Sequence, residues 1–120
     1  MMIHKIASIS NLFIKMMCFN QSGDKMEGHI HTYDHLTLLT NGKLRVTIEG
    51  EVSEYEAPHM IYITKDKAHD LEALSDDTVA WCIHALRDID GNLLEPDMIP
   101  KIRDSAKSYP YMKDAVQPKP

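Results

Sequence analysis

Short apolar segments separated by turn residues recur along the first 86 positions of this 120-residue chain. The segments fall at residues 3–9, 12–19, 36–40, 43–49, 52–56, 60–63, 69–74 and 78–86. Strands of this length, about 8–12 residues apart with turns between them, are typical of a β-sandwich or a barrel. The pattern therefore predicts an all-β chain folded as one double-sheet barrel.

The side-chain pattern of single segments predicts which faces they bury. Residues 43–49 alternate cleanly between apolar and polar, which indicates a half-buried antiparallel strand. Residues 12–19 and 78–86 are apolar on both faces, so we expect them to be covered on both sides. Residues 60–63 predict a short buried strand, and Asn41-Gly42 predicts a β-hairpin because both residues tolerate positive φ.

Histidines cluster in one stretch of the chain and recur once downstream. His29 and His31 are two residues apart, so on an extended strand they share one face. A short link over residues 32–34 lets His35 face the same point, and His69 begins a later strand. Imidazole is a common metal ligand, so the four side chains predict one divalent metal site. The alternative is a solvated, histidine-rich edge that binds no metal.

Composition excludes several classes of partner. The formal net charge is −5 and the pI is about 5.7, with no basic stripe that could neutralise phosphates. We therefore expect no nucleic-acid partner and no membrane surface. No apolar run reaches the roughly 20 residues that span a bilayer, and no signal-peptide core is visible. A cytoplasmic protein with reduced Cys18 and Cys82 is expected.

The histidine spacing resembles the two motifs of the cupin superfamily. His29-Ile30-His31, three residues, His35 and then Gly42 match the first motif, with His35 at the usual glutamate position. Residues 57–69, ending in His69, match the second motif, although Pro58 stands where that motif has its first glycine. The offsets of 2, 6 and 40 residues from the first histidine resemble the four-histidine subgroup of cupins.

This resemblance implies a double-stranded β-helix (jelly-roll) barrel and a function. The chain would be one cupin domain over residues 1–120, with the barrel at about 12–86 and a C-terminal extension at 87–120. His29, His31, His35 and His69 would hold the metal, with manganese or iron expected first and nickel, cobalt, copper or zinc as alternatives. The activity would be that of a metal-dependent, dioxygenase-like oxidoreductase acting on a small molecule.

Two alternatives to an oxidoreductase stay open at this stage. Four neutral imidazoles leave the full 2+ charge on the metal, and an octahedral ion would keep two adjacent positions for a chelating substrate. Closure of a tetrahedron would instead make a structural zinc site. A non-catalytic, metal-dependent binding module fits equally, and a lyase or isomerase would need a tyrosine base near the metal. Tyr33 is the candidate catalytic residue, since it lies between two ligands, although a wall position in the barrel is the alternative.

Two further expectations concern the ends of the chain and its assembly. Residues 97–107 predict a short helix over an open edge, and the last ten residues predict a loosely ordered tail. The apolar N-terminal strands and the outward Leu36 and Leu38 predict a homodimer.

Overall fold

The computed structural model describes the backbone of residues 2–29, 33–94 and 111–113, and the side chains of residues 3–26 and 33–94. Within these residues the chain forms ten β-strands and no helix. The strands are β1 (Met2–Ile9), β2 (Leu12–Phe19), β3 (Lys25–His29), β4 (His35–Asn41), β5 (Lys43–Ile48), β6 (Glu51–Glu56), β7 (His59–Ile63), β8 (His69–Ala73), β9 (Thr78–Ala85) and β10 (Tyr111–Lys113). The prediction of an all-β fold is confirmed. No helix that could span a membrane occurs in the described ranges.

The strands form two antiparallel sheets. One sheet has six strands in the order β10-β1-β2-β9-β4-β7, and the other has four in the order β3-β8-β5-β6. β9 lies between β2 and β4, which confirms the central position that its two apolar faces predict. Because strands that are distant in sequence pair within each sheet, the chain crosses repeatedly between the layers, as a jelly roll requires.

The core lies between the two sheets and follows the strand alternation. On β8, His69, Leu71 and Ala73 are buried, and on β5, Leu44 and Val46 are buried, as their period of two predicts. Burial of each large aliphatic side chain contributes about 1.5–3 kcal/mol, so this layer holds the two sheets together. A tight turn joins β5 to β6, and its residues Glu49 and Gly50 both have positive φ.

The expected hairpin at Asn41-Gly42 is wrong. β4 pairs with β7 and β9, whereas β5 pairs with β6 and β8, so the two strands that flank Gly42 belong to different sheets. Gly42 has a φ of 84°, as a turn requires, but the turn carries the chain from one layer into the other. The dipeptide predicts the local backbone conformation and not the pairing partner.

The prediction that residues 60–63 are buried is wrong for half of them. β7 is an edge strand, and only its inward residues Ile61 and Ile63 are buried. Met60 and Tyr62 point outward and are 70% and 63% exposed. An apolar run on an edge strand therefore covers the core on one side and leaves an apolar outer face on the other.

The C-terminal part of the chain departs from its prediction in one described segment. Tyr111–Lys113 forms β10 and pairs with residues 6–8 of β1, so these three residues are a strand and not a loose tail. The helix expected at residues 97–107 lies outside the described residues.

Candidate metal centre

Two of the four predicted ligands meet between the sheets. His35 is the first residue of β4 in the six-stranded sheet, and His69 is the first residue of β8 in the four-stranded sheet. Their ring centroids are 5.2 Å apart with the ring planes at 49°. The side chains are 5% and 2% exposed. The barrel thus brings together two imidazoles that are 34 residues apart in sequence.

The separation of these rings fits ligands of one ion. Imidazole nitrogens bind first-row divalent metals at about 2.0–2.1 Å, which places the centroids of two ligands about 4.5–5.5 Å apart for angles of about 90–120° at the metal. The observed 5.2 Å falls in that range. The donor set is neutral and made of nitrogen, which suits manganese, iron, cobalt, nickel, copper and zinc.

The backbone fixes the orientation of the His69 ring. Its Nδ1 lies 3.3 Å from the carbonyl oxygen of Lys67. Because a carbonyl only accepts, Nδ1 is the protonated nitrogen in this contact, and in the neutral ring the basic nitrogen is then Nε2. A backbone carbonyl on one ring nitrogen is the usual device that orients a metal-binding histidine.

The other two predicted ligands are described only in part. The backbone of His29 lies directly opposite His69 in the β3–β8 pair, after a register shift that follows Met26. Residues directly opposite in an antiparallel pair share a face of the sheet, so position 29 is next to position 69 at this end of the barrel. His31 lies outside the described residues. Within the described side chains, no group of three or more potential ligands occurs.

Tyr33 lies beside the two histidines. It is buried, and its ring centroid is 6.3 Å from that of His35 and 4.3 Å from that of His84. His84 also stacks on Phe13 at 4.6 Å, and its Nδ1 contacts the carbonyl of Ala85. His84 is therefore a buried residue that contacts the backbone. The sequence did not indicate that Phe13 and His84 form the wall next to Tyr33.

Asp34 anchors the segment that delivers His35. Its carboxylate accepts a 2.7 Å hydrogen bond from the Lys65 amide at the end of β7, and the Tyr62 hydroxyl donates to it as well. The Lys65 amide holds the pKa of Asp34 below its ordinary value, and the bond to Asp34 raises the pKa of Tyr62. Asp34 therefore points away from the histidines. This is expected for the residue next to His35, because neighbouring side chains in an extended chain point to opposite faces.

Asp34→Asn is expected to weaken this anchor in a pH-dependent manner. A depressed carboxyl pKa stabilises the fold above the unfolded-state value and loses that effect as the pH falls through the folded-state value. The thermal melting temperature of the variant should be lower than that of the wild type at neutral pH. The difference should begin to shrink below about pH 4, the ordinary carboxyl value, and vanish as the pH falls through the lowered folded-state pKa. Asp66→Asn, at an exposed turn position, is the control. A difference that persists unchanged in acid would contradict the assignment.

Comparison with known proteins gives a clear result at the level of structure. No family model matches the chain. No curated protein matches it either. Among solved structures, KdgF from Halomonas sp. matches with a TM-score of 0.64 at 21% identity, over 74% of this chain and 82% of that one. This chain has the cupin fold.

Two other cupins show the same likeness. A cupin superfamily protein from Desulfitobacterium hafniense has a TM-score of 0.63 at 14% identity, over 71% of this chain and 77% of that one. The second is an RmlC-like cupin family protein with a double-stranded β-helix fold, from Methanocaldococcus jannaschii. It has a TM-score of 0.64 at 12% identity, over 71% of this chain and 80% of that one. The prediction of a double-stranded β-helix is therefore confirmed. At these identities the likeness concerns the fold alone.

Proposed function

We propose that this small cupin holds one divalent transition metal with His29, His31, His35 and His69. The observation that carries the proposal is the pair of buried imidazoles of His35 and His69, which face each other from opposite sheets at 5.2 Å. The backbone of His29 opposite His69 supports a third ligand at the same end of the barrel. Position 31 follows on the same strand face when the chain stays extended.

The activity that we propose is a metal-dependent, dioxygenase-like oxidation of a small molecule. When bound, manganese or iron would supply a Lewis acid and a one-electron centre. Four neutral imidazoles would leave its charge uncompensated, which favours an anionic, chelating substrate. The residues of the chain would orient the substrate and exclude water, with the buried ring of Tyr33 as part of the pocket wall.

A lyase or isomerase is the second candidate, and the position of Tyr33 favours it. Tyr62 is excluded as its base, because that side chain is largely exposed and bonded to Asp34 on the outside. Tyr33 is buried beside His35, where its hydroxyl could serve a substrate held at the metal. Tyr33→Phe should then abolish turnover while leaving metal content unchanged.

Turnover with defined metals separates these activities. The protein would be loaded in turn with Mn²⁺, Fe²⁺ and Zn²⁺ and mixed with a panel of small chelating acids and diols. Oxygen consumption with manganese or iron and none with zinc supports the oxidoreductase. Product formation without oxygen supports a lyase or isomerase. Recovery of every compound unchanged, with ligand binding intact, would contradict both and leave a binding module.

We further propose that the cupin forms a homodimer through the outer face of its six-stranded sheet. Two rows of paired, outward apolar residues cross four neighbouring strands, β7, β4, β9 and β2. The first row consists of Tyr62, Leu36, Ile83 and Ile14, and the second of Met60, Leu38, Trp81 and Met16. A continuous apolar sheet face of this kind is typical of an interface between two copies.

Met60→Asp is expected to convert the dimer into a monomer. Met60 is among the most exposed residues of these rows, and a charge buried between two copies costs several kcal/mol. Sedimentation at micromolar concentration measures the change. Val52→Asp is the matched control, since Val52 is 56% exposed on the other sheet. A wild type that sediments as a monomer would end the proposal.

The proposed location is the cytoplasm. The thiols of Cys18 and Cys82 are not joined in a disulfide, which fits a reducing compartment.

A further inference from the structure

A lysine points into the barrel on the strand that faces the histidine end. On β2, Phe13, Met17 and Phe19 alternate inward and are buried, and Lys15 occupies the inward position between Phe13 and Met17. Inward lysines are uncommon because the ammonium must leave water. The inward position of Lys15 therefore calls for a functional or structural explanation.

The ammonium of Lys15 reaches across to the other sheet. Its Nζ lies 3.7 Å from the Sδ of Met26 on β3, and Met26 is itself buried. Lys15 is half-buried, and its Nζ ends at this buried sulfur of the opposite sheet. A thioether sulfur is a weak acceptor, so the contact satisfies little of the ammonium's hydrogen-bonding capacity.

The neighbours of Lys15 form a polar row inside the barrel. Lys15 is opposite Cys82, Cys82 is opposite Thr37, and the Thr37 hydroxyl lies 3.8 Å from the Cys82 thiol. Thr37 follows His35 by two residues on β4. Residues two apart on a strand are separated by about 6.5–7 Å, so this row is one step along the barrel from the histidine row.

The charge inside the barrel is not balanced by the described side chains. The buried polar residues are Ser8, His35, Thr37, His69, Thr78 and His84, with no carboxylate among the described residues. Among the described side chains, the ion pairs join Arg45 to Glu54 and Glu72 on the other sheet, and none joins Lys15 to an acid. A chain with a net charge of −5 thus directs a half-buried cation inward, one strand step from its histidine row.

We propose that Lys15 binds the carboxylate of a small organic acid whose other end is held at the histidine centre. The proposal rests on the proposed function for that other end. A carboxylate supplies the strong acceptor that Met26 does not, and Lys–carboxylate hydrogen bonds are charge-assisted. The substrate class is therefore a small carboxylic acid with a second, metal-binding oxygen function about one strand step away.

Binding of matched acids and amides to the metal-loaded protein tests the proposal. The probes are short dicarboxylic and hydroxycarboxylic acids and the amides of the same compounds, measured by calorimetry. We expect at least one acid to bind and its amide to bind about 10- to 100-fold more weakly. Lys15→Met should cause a similar loss for the acid, and Lys15→Arg should restore most of it. Lys43→Met, which removes an exposed cation on β5, should have no effect.

Stability and metal content separate a binding role from a structural one. Lys15→Met should melt at the same or a higher temperature, because the variant removes a half-buried charge from an apolar contact. Its metal content should equal that of the wild type. Unchanged acid affinity in Lys15→Met, or no acid bound by the wild type, would overturn the proposal while leaving the metal site standing. If the protein takes up no metal but still binds acids in a Lys15-dependent manner, the carboxylate site is supported. That result would contradict only the proposed metal-dependent function.

Discussion

His69→Ala is expected to lower the affinity for zinc by more than about 100-fold. Loss of an outer-shell partner alone costs about 10- to 100-fold in metal affinity, and His69 would be a direct ligand. Zinc is the practical probe, because it binds nitrogen sites more tightly than manganese or iron. Competition against a chromophoric chelator measures the affinity.

The same substitution should remove most of the stabilisation that metal gives. At a free zinc concentration about 1,000 times Kd, binding stabilises the fold by about 4 kcal/mol, and a 100-fold weaker site retains about 1.4 kcal/mol. Because His69 is buried, His69→Gln is the variant that keeps more volume and guards against a loss of folding. His59→Ala, at an exposed histidine on β7, is the control. Affinity that is equal in His69→Ala and the wild type would contradict the assigned ligand.

Gly42→Ala is expected to destabilise the fold by about 2–5 kcal/mol. A left-handed conformation costs an alanine about 1–2 kcal/mol, and overpacking adds about 1–3 kcal/mol. The new Cβ would lie 2.7 Å from Ser75 Oγ and 2.9 Å from the Cα of Thr78. Thr78 is fully buried and hydrogen-bonded to Ser75, so it cannot move aside.

The melting temperature should fall by about 8–20 °C in Gly42→Ala, at about 4 °C for each kcal/mol. Gly50→Ala is the matched control, because Gly50 has a φ of 80° and open space where its Cβ would be. The control should lose about 1–2 kcal/mol, from the backbone alone. Equal losses in the two variants would show that the contact with Thr78 does not matter. The contact matters to the site as well. The turn at Gly42 connects β4, which begins with His35, to β5 in the opposite sheet.

Much of the fold could be predicted because the buried faces follow a period of two. In β5 and β8 the alternation of apolar and polar residues predicts which side chains are buried. In β9 the apolar residues on both faces predict a central strand. Pairing partners were harder to predict. Asn41-Gly42 specifies φ and not which sheet follows, and β10 pairs with β1 across more than 100 residues of sequence. β7 looked buried because an apolar edge strand and a buried strand have the same composition.

The candidate site could be predicted only in part, because it also depends on the pairing and register of distant strands. The spacing of the histidines suggested their convergence, and the structure brings the rings of His35 and His69 together. The predictions for His31 and for the side chain of His29 stay predictions. Phe13, Lys15 and His84 face the site through the register of β2 with β9, which no local pattern reveals. The sequence signal for Lys15 was its charge within the otherwise apolar strand β2.

The most direct test of the metal centre is elemental analysis of the full chain, purified without a histidine tag. The protein should carry close to one transition-metal ion per chain, either as isolated or after incubation with Mn²⁺, Fe²⁺ or Zn²⁺ and removal of the excess. A variant with both His31→Ala and His69→Ala should carry less than about a tenth of that. Wild-type protein that retains no metal after these incubations, or a double variant that retains as much as the wild type, would contradict the account.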